Sequence, residues 1–128
     1  MSALALAALA DRIEREGPSR ELDCDVALAC GWTVHFGDNW IGPRGEIVTL
    51  AFTSSIDAAA TLMPVGFAAL MAWSERGAIC NISRLHLGEI AGQEWFEAGR
   101  KETPSPAAAL CAACLRARAA LLKEATDG

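Results

Sequence analysis

The stretch TPSPAAALCAACLRARAALL, Thr103 to Leu122, constrains the fold of this chain more than any other segment. Pro104 and Pro106 bracket Ser105, so Ser105 as N-cap and Pro106 at the first helical position predict a helix running to about Glu124. Alanine favours helix but buries little surface. The hydrophobic fraction of 52% therefore overstates the core, and close helix packing is expected around few bulky anchors: four Trp, four Phe and the Leu, Ile and Val set. The 128 residues fit one domain spanning 1–128, large enough to bury a core without metal or disulfide staples.

That helix carries a C-x-x-C pair. Residues three apart share a side of a helix, so Cys111 and Cys114 can face inward together, beside Leu110, Leu115, Leu121 and Leu122. Thioredoxin-type pairs place the first cysteine at a helix N-terminus, where the dipole stabilises thiolate. Cys111 instead lies more than one turn inside, after a run of alanines. Zinc would need two further ligands, and Cys24 and Cys30 are six apart on a second helix, facing different ways. The reading is two thiols packed as small apolar groups, with no metal and no cofactor assigned; a thiol-based metal-binding or redox protein is the alternative. On the same wheel Arg118 lies four residues after Cys114, in the middle of the apolar arc. A guanidinium there needs a partner: solvent past the helix edge, an internal carboxylate, or an anion in a cleft.

Elsewhere the periodicity alternates between helix and strand. SALALAALADRIEREG puts Leu6, Leu9, Ala10 and Ile13 on one helical face and stops at Gly17-Pro18. SRELDCDVALACG is a second helix, with Ser19 as N-cap, Gly31 as stop, and Leu22, Val26, Ala29 and Cys30 as its core stripe. Glu21 and Asp23 suit the positive end of its dipole, and Cys24 and Leu28 form a second apolar strip. WTVHF, WIG and EIVTLAF read as a three-strand meander turned by GDN and GPRGE. SSIDAAATLMP is a short helix in which Ser54 and Asp57 resemble a capping box and Pro64 is the stop. Phe67 to Trp73 and Ala78 to Leu87 form a hairpin about SERG, GEIAGQ is a loop, and EWFEAG is a further strand. The order α-α-β-β-β-α-β-β-β-α, with strands in hairpins, predicts an α+β fold with a mainly antiparallel sheet.

Composition narrows the function. The net charge is −5 and the basic residues are scattered, which disfavours binding to a nucleic-acid duplex. No apolar run is long enough to span a membrane. Five cysteines, an odd number, with no basic secretory start in MSALALAALADR, suit free thiols in a reducing cytoplasm. Nucleophile-elbow, phosphate-loop, dinucleotide and H-E-x-x-H patterns are all missing, so no catalytic residues are assigned and an enzyme is not expected. Binding candidates remain. Arg84 and His86 alternate along one strand and project to one side, where a phosphate or carboxylate could be received. Trp40 and Arg44 share a turn-rich stretch suited to planar ligands or protein partners. Arg118 completes the set.

Three segments together resemble the phage ABA sandwich domain family: GPSRELDCDVALACGW (Gly17–Trp32), FTSSIDAAATLMPVGF (Phe52–Phe67) and ETPSPAAALCAACLRARAALL (Glu102–Leu122). The RELD opening, the S-x-D-A-A…P-x-G middle and the T-P-x-x-A-L-C-A-A-x-L-R-A ending match in order and spacing, and Trp73 fits as well. The resemblance implies a sheet covered by helices on both faces, an α/β/α sandwich, and a phage or prophage origin with a bacterial host cytoplasm as location. It brings no catalytic set. The function expected is a non-enzymatic accessory binding protein that either sequesters a small anionic, nucleotide-type host defence signal or binds a host protein. The Cys24–Leu28 strip is available for homo-oligomerisation. A structural or assembly role in the phage particle is a further alternative.

Overall fold

A computed structural model describes residues 2–34, 39–42, 47–49, 51–84, 94–96 and 105–127. In chain order these form α1 (Ala3–Glu16), α2 (Arg20–Ala29), β1 (Thr33–Val34), β2 (Asn39–Ile41), β3 (Ile47–Thr49), α3 (Ile56–Ala60), β4 (Phe67–Ser74), β5 (Gly77–Arg84), β6 (Glu94–Phe96) and α4 (Pro106–Asp127). The fold is α+β with antiparallel sheets, as expected. The strands divide into two sheets, ordered β1-β2-β3 and β4-β5-β6. Among the described residues no helix is long and apolar enough to cross a membrane.

Helix α4 organises the molecule. Every residue from Ala107 to Leu115 is buried, so this stretch is enclosed on all sides, as a helix apolar all round must be. Its neighbours are α1, α3 and the β4–β5 hairpin. Alanines at 107–109, 112, 113, 117 and 119 let those layers approach closely. The start is as the prolines predict: Pro106 opens the helix and the Ser105 hydroxyl accepts from the Ala108 N–H at 3.4 Å. In the second sheet Ala78, Cys80 and Ile82 are buried on the face toward α4, opposite Trp73, Met71 and Ala69 on β4. Leu70, on the other face, is 64% exposed.

The helix signals are local and mostly hold. Gly17 ends α1 at φ 77°, and its N–H donates to the Ile13 carbonyl at 2.9 Å; that left-handed turn favours glycine. Leu6, Leu9, Ala10 and Ile13 are buried, the predicted face. Ser19 caps α2 through its hydroxyl to Leu22 N at 3.1 Å. The α3 cap differs from expectation: Ser55, not Ser54, accepts from Ala58 N at 3.3 Å, and Ser54 is exposed. Ser55 has the extended backbone of an N-cap (φ −124°, ψ 122°), although Ser54, three residues before Asp57, is the one with capping-box spacing.

A buried polar node ties the helices together. Thr53 donates its N–H to Asp23 Oδ1 at 2.8 Å and its hydroxyl to the same oxygen at 2.7 Å. The hydroxyl oxygen accepts from Ser19 N at 3.1 Å, and Ser105 Oγ donates to the Thr53 carbonyl at 3.4 Å. Asp23 is thus more than a dipole partner for α2. It is buried and receives two donors from a turn thirty residues away, which meets the requirement that a buried carboxylate be hydrogen-bonded. The three segments that carry the family resemblance meet at this node. Above it, Trp32 and Phe52 pack edge to face, ring centres 5.3 Å apart at 71°.

Ion pairs join the remaining faces. Arg116 on α4 reaches Asp11 at 2.6 Å and also pairs with Glu14, both on α1. Arg12 links Glu16 at 3.1 Å and Asp25 of α2 at 3.3 Å.

Candidate ligand-binding cleft

Arg116 and Arg118 are two residues apart on one helix and therefore diverge. Arg116 turns to the acidic face of α1, whereas Arg118 turns toward the end of α3. Its Nε donates to the Leu62 carbonyl at 2.7 Å. Leu62 lies in the turn that closes α3, its N–H donating to Ala59 O at 3.0 Å. A cation hydrogen-bonded to a carbonyl at a helix C-terminus is favoured. Among the described residues no carboxylate pairs with Arg118, so its two terminal nitrogens have no anionic partner.

Arg118 belongs to the wall of a cleft of about 490 Å³, a size typical of small-molecule sites. Leu6 of α1 and Ala29 and Cys30 at the end of α2 form one side. Met63 and Pro64, after α3, form another, and α4 supplies Leu121 and Leu122 beside Arg118. The site is built because two helix ends converge on one turn of α4: Gly31 (φ 81°) halts α2, Pro64 follows the α3 turn, and α4 runs past both. Among the described residues the arrangement is a cleft of mostly apolar side chains with a single cation, and it can hold the charged end of an anion whose body is apolar.

The thiols are elsewhere in function though close in space. Cys30, Cys80, Cys111 and Cys114 are buried and unbridged. Cys111 and Cys114 are both 0% exposed, the inward packing expected of them. Cys114 Sγ donates weakly to Ala59 O at 3.8 Å. Burial pushes the Cys80 and Cys114 thiols up to about 12. Cys111 rises well above its usual range, first by burial and then by the neighbouring Cys114, Cys30 and Asp23. Cys30 is raised by burial against the opposing pull of Arg118. None of these is poised as a thiolate nucleophile at neutral pH. Among the described residues no three His, Cys, Asp or Glu side chains gather as a metal site would need.

A pH dependence follows. A thiol whose native pKa exceeds its unfolded value near 9 stabilises the fold fully below pH 9, and that stability is lost as pH rises toward 12. Melting temperature is expected to be level from neutral pH to about 9 and to fall above it. Cys80→Ala/Cys114→Ala should show a shallower fall. A wild-type profile and double-variant profile that run parallel above pH 9 would show that these thiols do not carry the effect.

Of the other candidate residues, Trp40 does not join the cleft. Trp40 is 6% exposed and sits in β2 between Val34 and Val48. Its ring is part of the core and offers no open face to a planar ligand, because the strand carries it inward. Arg44 and His86 lie outside the described residues, as do His35 and the loop GEIAGQ. Arg84 is the last residue of β5, its backbone paired with Phe67, and its side chain lies outside the described set. The apolar lining is not legible in the sequence: Ala29 falls on the core stripe of α2, and nothing in its context marks it as a wall. Comparison with known protein families, with curated proteins and with solved structures returned no match.

Proposed function

We propose that this is a non-enzymatic binding protein that holds a small anionic ligand in the Arg118 cleft, and that it serves as a phage or prophage accessory factor in a bacterial host. The observation that carries the binding reading is the half-buried Arg118 guanidinium, anchored through Nε, in the wall of a cleft where no carboxylate balances it among the described residues. An uncompensated guanidinium in apolar surroundings is costly unless an anion or water completes it. The phage setting is supported by the three-segment resemblance alone.

A second reading, binding to a host protein or a second copy, is favoured by exposed apolar residues along β4 and the turn before it. Val65, Leu70 and Trp73 are all largely exposed, Trp73 at 69%. Among the described strands β4 stands at the edge of its sheet, and such edges template pairing with another chain.

Native mass spectrometry of freshly purified protein tests both. The first reading predicts a monomer or oligomer that retains a small anion, or takes one up from a mixture of phosphate, nucleotides and carboxylates. The same anion should be lost in Arg118→Met, which keeps an apolar stem. An empty protein that accepts no anion from the mixture sinks the first reading, and a ligand-free oligomer would then favour the second.

A further inference from the structure

The cleft's chemistry is narrower than "anion". Among the described residues its lining contains one cation and no side-chain hydroxyl, amide or aromatic ring. A nucleotide would bring two features poorly matched by those side chains: a base, which stacks best on an aromatic ring and would compete with the phosphate for the one arginine plane, and sugar or base edges that need hydrogen-bond partners. A doubly charged phosphate would leave one charge unbalanced in an apolar trough. Cys30, the remaining polar side chain of the wall, is a buried thiol and adds no charge.

What does match is a single carboxylate on an aliphatic body. The terminal nitrogens of Arg118 present parallel N–H donors to a carboxylate's two oxygens. Leu6, Ala29, Met63, Pro64, Leu121 and Leu122 then cover methylenes. Met63 adds an unbranched, adaptable side chain that moulds to a flexible chain. We infer that the Arg118 cleft is a site for a medium-chain aliphatic monocarboxylate. This rests on the anion-binding reading of the same cleft and replaces a nucleotide as its occupant.

The test is calorimetric titration of the full chain with a homologous series of straight-chain carboxylates from acetate to decanoate, all kept below their micelle concentrations. Inorganic phosphate, adenosine monophosphate and 1-octanol serve as the other probes. Affinity should climb roughly fourfold for each added methylene until the trough is full, then level off. Octanol should bind at least tenfold more weakly than octanoate. Phosphate and adenosine monophosphate should give no measurable heat.

Arg118→Met should lower octanoate affinity tenfold or more while leaving octanol unchanged. Should that variant fail to fold, Ala29→Leu fills the trough without touching Arg118, and it should shorten the longest chain accepted. Binding that ignores chain length, or adenosine monophosphate binding that needs Arg118, overturns the carboxylate inference and leaves the anion-binding reading standing. No binding by any anion overturns both.

Discussion

Phe52→Ala is expected to remove about 3–5 kcal/mol of unfolding free energy, a large part of the 5–15 kcal/mol typical of a domain. Phe52 is completely buried, so its loss removes a ring's transfer energy and opens a cavity that its neighbours fill only in part. Its edge-to-face contact with Trp32 at 5.3 Å adds about 0.5–1.5 kcal/mol beyond area. The position also precedes Thr53, which holds Asp23, Ser19 and Ser105, so a collapsing cavity pulls on the node that ties α2 to α4. Phe52→Leu keeps much of the volume and should cost less than half as much. Urea unfolding measures both. A loss below about 1 kcal/mol for the alanine variant, far under the usual range for buried Phe, would mean that Phe52 is not a packing anchor.

Arg116→Met should cost a similar amount for a different reason. The Glu14 side chain is 3% exposed, and Arg116 is its partner across the α1–α4 seam. Removing the cation takes its charge partner from a carboxylate in a low-dielectric seam, which costs about 3–5 kcal/mol. The other contact is of another kind: Asp11 is mostly exposed, so Asp11→Asn should cost only about 0–1 kcal/mol. Arg116→Met combined with Glu14→Gln should recover most of the loss, since replacing both partners removes that carboxylate's charge as well. A double-mutant cycle by denaturant unfolding gives the coupling directly. Additive single losses would show that the pair does not couple the helices.

Local chemistry was readable in advance. Ser19, Gly17, Gly31 and the Ser105-Pro106 pair act through hydrogen bonds and backbone angles within a few residues, so their roles could be assigned from neighbours in the chain. The β4–β5 hairpin was equally plain, with Ser74 paired to Gly77 across the turn. The α3 cap slipped by one residue because two adjacent serines offered the same side chain. Trp40 was harder: in a turn-rich stretch, nothing in the sequence distinguishes a ring laid on a ligand from one laid on the core. Asp23 looked like an ordinary first-turn acid, because its partner Thr53 is thirty residues away.

Composition and spacing by themselves determined that the last segment is a long alanine-rich helix, that its two thiols share one side, and that Arg118 stands among apolar residues. These follow from helix geometry and side-chain volume, which need no other part of the chain. Only the tertiary structure decided what surrounds that helix: α1, α3 and a strand pair close on it from different sides, turning one apolar arc into an enclosed column. It also decided the fate of the two arginines. Arg116 meets Glu14 and Asp11, while Arg118 meets a carbonyl and an open trough, because the partner of a charge is set by which distant segment lies opposite it, and chain spacing does not encode that.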